Sequence, residues 1–311
     1  MNILITGASG FVGYYVMQAL GKSHCISLDG EKGAIDLRDS RGIKSFLSAS
    51  GTPAFDAVIH LAAQGFVPES FKNPLETFDI NFTGTFNLLS ALKETGFRGK
   101  ILYVSSGDIY GLADENRLPI IEEYPLKPRN PYAVSKVAVE ALCYQWSVVE
   151  SGMRFIVARP FNHIGPNQSE RFAVSSFAKQ VIEIELGLKK PLISAGNIDA
   201  TRDFLDVRDV ADAYKMLLEK ETGKGISGNK FDVFNVCSGA EVSMRSILNL
   251  MFEITGIEAE IKIDEAKLRP NEQKRIYGSG NKLKDYTGWR PKIPLKQSIE
   301  DILNYWREKL K

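Results

Sequence analysis

The chain has 311 residues, of which 44% are hydrophobic and 25% charged, so it can bury one large core or two modest ones. Its net charge of +1, with no block of one sign, argues against nucleic acid or a membrane surface as the main partner. Three widely spaced cysteines, Cys25, Cys143 and Cys237, form no CxxC pair, which predicts reduced thiols in a cytoplasmic protein rather than disulfides or a zinc site.

From the N-terminus, Asn2–Thr6 is a short apolar run that predicts a buried strand, starting so early that no signal peptide is expected. A helix at Phe11–Leu20, a strand at Cys25–Leu28, a helix at Asp39–Ser48 and a strand at Ala57–Leu61 follow. A long helix at Leu75–Thr95 leads to a strand at Ile101–Ser105, a helix at Tyr132–Glu150 and a strand at Arg154–Ala158. This alternation predicts an α/β chain built on a Rossmann-type, doubly wound parallel sheet. After Arg159 the rhythm loosens. Loops with one helix at Ala173–Glu185 run to Asp203, followed by a helix at Val207–Glu219 and a strand at Asp232–Val236. Ser243–Thr255 reads as a helix, Glu260–Ile263 as a strand and Leu295–Leu310 as a terminal helix. We expect residues 206–236 to return to the first sheet. The first unit is then 1–161 plus about 206–236, and a smaller, discontinuous α/β unit is about 162–205 plus 237–311. No apolar run approaches the roughly 20 residues needed to cross a bilayer.

Three glycines, Gly7, Gly10 and Gly13, close the first strand and open the first helix. Such a turn lets backbone amides approach a pyrophosphate and lets the helix pack close to the strand. The turn residues Gly7, Ser9, Gly10, Phe11, Val12 and Gly13 are therefore candidate dinucleotide contacts. Asp29, at the end of the second strand, can accept from both hydroxyls of an adenosine ribose, which points to NAD(H). Lys32 and Arg38 stand near enough in sequence to receive a 2′-phosphate, so NADP(H) stays open.

Tyr132 and Lys136 lie four residues apart, on one face of a helix that begins after Pro131. A second Tyr-x-x-x-Lys match, Tyr305 and Lys309, lies on the terminal helix and shows that spacing alone proves little. Position separates them: Tyr132 follows the strand ending in Val104-Ser105-Ser106, and ligands of open α/β sheets bind at the carboxyl ends of strands. Free tyrosine titrates near pH 10. A nearby ammonium is expected to lower that value, so Lys136 would make Tyr132 a usable proton donor and could also bond a nicotinamide ribose. Ser106 would hydrogen-bond the reacting oxygen. The histidines form no metal-like cluster, no metal is expected, and His163 reads as structural.

The chain resembles the extended short-chain dehydrogenases/reductases that act on nucleotide sugars. The matching pieces are Thr6–Gly13, His60-Leu61-Ala62-Ala63, Ser105–Gly111, Tyr132–Lys136, Arg159-Pro160-Phe161-Asn162 and Gly288-Trp289-Arg290-Pro291, spread over nearly the whole chain. The resemblance implies a dinucleotide-binding domain, a smaller nucleotide-sugar domain and a dimer built through two helices per subunit. It places Asp36, Leu37, Leu61, Ala62, Ala63 and Gln64 against the cofactor. It places Gln64, Phe66, Val67, Ser106, Gly107, Asp108, Tyr132, Asn162, Lys179, Arg202, Arg269 and Arg275 toward the substrate. Arginine suits a diphosphate because it pairs bidentately with phosphate oxygens. Asn81 is implied to brace the site rather than touch substrate.

The family's 4,6-dehydratases carry Thr, Asp and Glu where this chain has Ser106, Gly107 and Asp108. Glycine cannot protonate a leaving hydroxyl, so dehydratase activity is not expected. Gln64–Phe71, Ala158–Gln168, Thr201–Asp206 and Arg269–Arg275 resemble the branch that reduces GDP-linked 4-keto-6-deoxy-mannose. That branch implies NAD(H)- or NADP(H)-dependent reduction of a C4 ketone. A nucleotide-sugar 4-epimerase with retained NAD is the alternative, and a non-catalytic NAD(P)-sensing scaffold a more distant one.

Overall fold

The computed structural model describes residues 1–21, 25–28, 35–150, 152–220, 230–268 and 273–311, and the backbone alone of 29, 30, 33 and 34. Strand β1 (Ile3–Thr6) is a wholly buried ILIT run that turns through Gly7 into α1 (Phe11–Leu20). β2 (Cys25–Ser27) is followed by a small antiparallel pair, β3 (Asp29–Gly30) and β4 (Gly33–Ala34). Helix α2 (Ser40–Leu47) is capped by Asp39, whose carboxylate accepts from the Gly42 amide at 3.0 Å. Beyond β5 (Ala57–His60) come α3 (Val67–Lys72), α4 (Pro74–Phe78), a π-helical turn at Asp79–Thr83 and α5 (Gly84–Glu94). β6 (Gly99–Val104), α6 (Pro131–Val149) and β7 (Met153–Pro160) complete the regular alternation. The remaining elements are β8 (Asn162–Ile164), α7 (Ala173–Glu185), β9 (Leu192–Ala195), β10 (Thr201–Asp206) and α8 (Val207–Glu219). They are followed by β11 (Phe231–Val236), β12 (Glu241–Ser243), α9 (Met244–Thr255), β13 (Glu260–Ile263), α10 (Asn281–Thr287) and α11 (Leu295–Leu310).

Six strands form one parallel sheet in the order β11-β7-β6-β5-β1-β2, a Rossmann-type doubly wound arrangement. β1 has β2 on one side and β5 on the other, so the winding reverses there and a crevice opens beyond their carboxyl ends. The strands are continuous apolar runs because both faces are covered. Ile3 and Ile5 enter a core with α1 and α8, including Val16, Tyr214 and Leu217. Leu4, between them, points into the opposite core with Leu88, Tyr103 and Val139.

A second unit packs α7, α9 and α11 around Phe177, Ile182, Ile247, Ile302 and Trp306. Its strands form two small sheets: β10 pairs with β8 in parallel and with β12 antiparallel, and β13 pairs with β9. The loops expected up to Asp203 contain three short strands, β8, β9 and the start of β10. The reason they read as loops is visible in β10, whose six residues TRDFLD carry three charges. Asp203 is wholly buried and accepts from the Ser238 amide and hydroxyl, both at 2.7 Å, and from the Gly239 amide at 3.0 Å. Asp206 caps α8 through the Arg208 amide at 2.8 Å and accepts from Ser298 Oγ at 2.6 Å. The long helix expected over Leu75–Thr95 is present as one continuous helical run from Pro74 to Glu94, widened to π geometry at Asp79–Thr83.

Candidate active site

The glycine turn sits at the reversal of the sheet. Gly7 has φ +73°, and a Cβ there would come within 2.7 Å of the Ala62 amide nitrogen. A Cβ on Gly13 would lie 2.1 Å from the Gly7 carbonyl oxygen. Two backbone segments, the turn after β1 and Leu61-Ala62-Ala63 after β5, thus meet with no room for side chains. Glycine at 7 and 13 is thus required by the close packing of the chain on itself, and Gly10, whose Cβ would meet only the Gly7 carbonyl at 3.2 Å, is the least enclosed of the three. Phe11 stacks on His163 at 6.1 Å, joining the turn to β8. His163 Nδ1 bonds the Phe161 carbonyl at 3.1 Å and burial lowers its pKa, so it is a neutral packing residue.

At the end of β6, Ser106 caps a short 3-10 turn by accepting from the Asp108 amide at 3.1 Å. Its hydroxyl lies near enough to the phenol of Tyr132 to pull that group's pKa down. Helix α6 is started by Asn130, which accepts from the Ala133 amide at 2.7 Å and donates to Asp108 at 3.0 Å. The Asn130–Asp108 link fixes the capping turn to the helix; the N-cap pattern before Pro131 was the signal that could have found it. Lys136 is buried, and its Nζ donates to the Val104 carbonyl at 2.8 Å. One turn on, Glu140 is forked by Arg159 of β7 at 3.0 and 2.6 Å, a buried pair that pins α6 to the sheet.

The electrostatics differ from the sequence expectation. Burial pushes the Tyr132 pKa up to about 12, the nearby Ser106 hydroxyl pulls it down, and Asp108 raises it further. Lys136 does not figure, because its ammonium is turned to the Val104 carbonyl and stands 5.8 Å from the Tyr132 ring centre. Burial lowers Lys136 itself to about 8, partly offset by Glu140. At neutral pH the arrangement is therefore a protonated phenol with an ammonium nearby, which is the state a proton donor requires.

Asn81, in the π-helical turn, binds the site together. Its Oδ1 accepts from the Gln64 amide at 2.8 Å, and its Nδ2 donates to the Gln64 carbonyl at 3.2 Å and to Ser135 Oγ at 2.9 Å. Ser135 in turn donates to the Tyr132 carbonyl at 2.7 Å. Thr85 donates to the Asn81 carbonyl at 2.6 Å, so it must accept from His60 Nε2 at 2.8 Å. His60 Nδ1 then accepts from the Thr6 hydroxyl at 2.6 Å. Burial first, and the Lys136 charge second, hold His60 at a pKa of about 3, so the ring is neutral. Hydrogen bonds thus run from the strand before the glycine turn to the helix carrying Tyr132.

The other predicted site residues fall out unevenly. The Gln64 side chain is folded into its own loop, donating to Thr77 at 3.1 Å and accepting from the Phe66 amide at 2.6 Å, so it does not reach outward as expected. Phe66 meets Phe172 edge-on at 6.0 Å and lies 5.7 Å under the Arg171 guanidinium; neither partner was anticipated. Val67 begins α3. Gly107 is enclosed: a Cβ there would stand 3.2 Å from the Phe161 ring. Asn162 is exposed at the start of β8. Arg202 donates to the Thr201 and Gln273 carbonyls at 2.8 and 2.9 Å. Arg275 is ion-paired with Glu241 and Glu115, and Lys179 with Glu170 and Glu183, so these two cations are already compensated. Asp36 is likewise forked by Arg38, and Leu37 is buried. The side chain of Asp29, with Lys32 and Arg269, lies outside the described residues.

What sets this doubly wound sheet apart is the helix α6 face carrying Tyr132 and Lys136 at the mouth of β6. That layout defines an enzyme of the extended short-chain dehydrogenase/reductase class. Comparison with known proteins narrows it. A family model described as GDP-mannose 4,6 dehydratase matches residues 31–302, and the chain belongs to that family. A GDP-6-deoxy-D-mannose reductase of Pseudomonas aeruginosa is 44% identical over 311 residues, covering 100% of this chain and 98% of that protein. A solved structure of RMD from Pseudomonas aeruginosa complexed with NADPH superposes with a TM-score of 0.89 at 43% identity, covering 99% of this chain and 100% of that one. A Thermus thermophilus UDP-glucose 4-epimerase solved with NAD has a TM-score of 0.83 at 27% identity, covering 99% of both chains.

Proposed function

We propose that the protein uses NAD(P)H to reduce the C4 ketone of a GDP-linked 4-keto-6-deoxy-hexose, converting GDP-4-keto-6-deoxy-D-mannose to GDP-6-deoxy-D-mannose (GDP-D-rhamnose). The observation that carries this reading is the α6 face with Tyr132 and buried Lys136, tied to the end of β6 through the Val104 carbonyl, beside an enclosed Gly107. Such a site holds a proton donor for a ketone but no acid at 107 to expel a hydroxyl. The full-length similarity to a GDP-6-deoxy-D-mannose reductase supports the same substrate.

Gly7, Ser9, Gly10, Phe11, Val12 and Gly13, with Leu61-Ala62-Ala63 close by, would hold the dinucleotide, its diphosphate at the uncapped backbone amides that open α1. A reduced nicotinamide bound there supplies hydride to the ketone carbon. Tyr132 donates its proton to the oxygen as negative charge develops, and Ser106 orients that oxygen. The Lys136 ammonium, turned to the Val104 carbonyl in this structure, would swing toward the phenol to offset the charge of the phenolate left behind. Asn162, Arg202 and Arg269 would receive the nucleotide sugar. Arg275 and Lys179 would have to exchange a carboxylate partner for a phosphate to join them. On this reading residues 1–161 and 206–236 serve the cofactor, and 162–205 and 237–311 the sugar nucleotide. NADPH in the solved relative favours a coenzyme site that accepts a 2′-phosphate.

A homodimer is part of the proposal. Val134, Ala141, Tyr144 and Val148 form an exposed stripe along α6, with exposed Phe86 on the neighbouring α5. Sedimentation velocity tests it. Among the described residues no helix is long and apolar enough to cross a membrane, which fits a cytoplasmic site of action.

The test is incubation with GDP-4-keto-6-deoxy-D-mannose and NADPH or NADH, with the product identified by NMR. Stoichiometric coenzyme oxidation yielding GDP-6-deoxy-D-mannose is expected. Interconversion of C4 epimers without coenzyme consumption would establish the epimerase reading instead.

A further inference from the structure

Lys136 is a buried cation whose compensation is thin. Among the described residues no carboxylate is ion-paired with it: Glu140, one turn along α6, is forked by Arg159. The hydrogen bond from Nζ to the Val104 carbonyl, 2.8 Å, is a neutral acceptor's contribution. His60 from β5 is neutral, and burial raises the thiol of Cys143 on α6 so that it stays protonated. Tyr132 is a protonated phenol with its ring centre 5.8 Å from Nζ. What stands closer is Tyr103 of β6, whose ring centre is 4.9 Å from Nζ.

Tyr103 is itself unusual. It is buried in the core between the sheet and α6, and among the described residues its hydroxyl has no hydrogen-bond partner. Buried tyrosines ordinarily satisfy that hydroxyl. The useful part of this residue is therefore its ring. An aromatic face attracts a cation through its quadrupole, and the attraction grows where water is excluded.

We propose that Tyr103 is a positioning residue: its ring face, with the Val104 carbonyl, holds the Lys136 ammonium charged and fixed beside Tyr132. The inference rests on the reading of Lys136 as the charge that assists Tyr132, but it is testable apart from it. The lowering of Lys136 to about 8 by burial leaves little margin, so loss of the ring would release its proton within the working pH range.

The experiment replaces Tyr103 with phenylalanine, then with 4-fluoro-, 3,5-difluoro- and pentafluorophenylalanine, and separately with leucine. The fluorinated rings keep nearly the same volume while draining the negative face, so the test survives if Tyr103→Leu fails to fold. Lys136 is titrated by NMR of 13Cε-labelled lysine, its signal assigned with Lys136→Arg, and kcat is measured against pH in parallel. Tyr103→Phe should leave the Lys136 titration near its wild-type position and kcat within about twofold, since the hydroxyl has no partner to lose. Fluorination should lower the titration stepwise, reaching about one pH unit for the pentafluoro ring and for Tyr103→Leu. The alkaline limb of kcat should follow by the same amount. A Lys136 titration that stays put across the series overturns the role of Tyr103 and leaves that of Lys136 intact. A fully active Lys136→Met protein overturns both.

Discussion

Lys136→Met should make the protein more stable and nearly inactive, and the stability gain should depend on pH. Lys136 is only 4% exposed, and burial holds its pKa at about 8 against an ordinary 10.5. That depression corresponds to about 3 kcal/mol for keeping the ammonium in the fold. Methionine has a similar volume and no charge, but leaves the Val104 carbonyl without its side-chain donor, a loss of about 1 kcal/mol at any pH. The net gain at pH 7 is then about 2 kcal/mol. The sign with pH follows from the depressed value. Below pH 8 both folded and unfolded wild type carry the proton, and the full burden is present. Between about 8 and 10.5 the folded protein releases its proton first, so the wild type regains stability as pH rises. Above that range only the lost hydrogen bond remains, and the variant should be the weaker by about 1 kcal/mol. Urea unfolding of both proteins at pH 7, 9 and 10.5, with kcat at pH 7, measures this. A variant less stable than wild type at pH 7, or a difference constant from pH 7 to 10.5, would show that Lys136 is not the buried cation inferred from its surroundings.

Tyr132→Phe should lower kcat by roughly 10²–10⁴-fold, the range for losing a positioned general acid, while NADPH affinity by fluorescence titration stays unchanged. Tyr305→Phe is its control: the Tyr305 hydroxyl takes a bond from Lys309 at 3.0 Å on an exposed helix face, and turnover should not move. Gly107→Asp with Asp108→Glu should not produce a dehydratase, because a side chain at 107 must first displace the Phe161 ring 3.2 Å away; formation of 4-keto-6-deoxy product from GDP-mannose is the readout. Gly13→Ala, whose Cβ would press to 2.1 Å from the Gly7 carbonyl, should abolish coenzyme binding seen by calorimetry in the protein that still folds.

Much of the site was legible because its determinants are local. The apolar runs of β1, β5, β6 and β7 declare a buried parallel sheet, and Gly7 and Gly13 declare a turn where nothing larger fits. The four-residue spacing of Tyr132 and Lys136 declares one helix face, and Pro131 its start. These are properties of a few consecutive residues, so period and composition suffice to find them. The rest depended on partners far away in the chain. Asp203 and Asp206 look like solvent residues until Ser238 and Ser298 arrive to satisfy them, which is why β10 was invisible. Asn81 bonds Gln64, 17 residues before it, and Ser135, 54 residues after it, links that no local pattern encodes. The resemblance turns Arg275 and Lys179 toward the substrate, and only the fold supplies Glu241 and Glu170 against them. The proton affinity of Tyr132 is the sharpest case. Residue types place an ammonium four positions away and predict a lowered value, but burial and the direction of the Lys136 side chain decide it, and they raise it. Sequence determined which groups could meet; desolvation and distance, which exist only in the folded chain, decided what state they meet in.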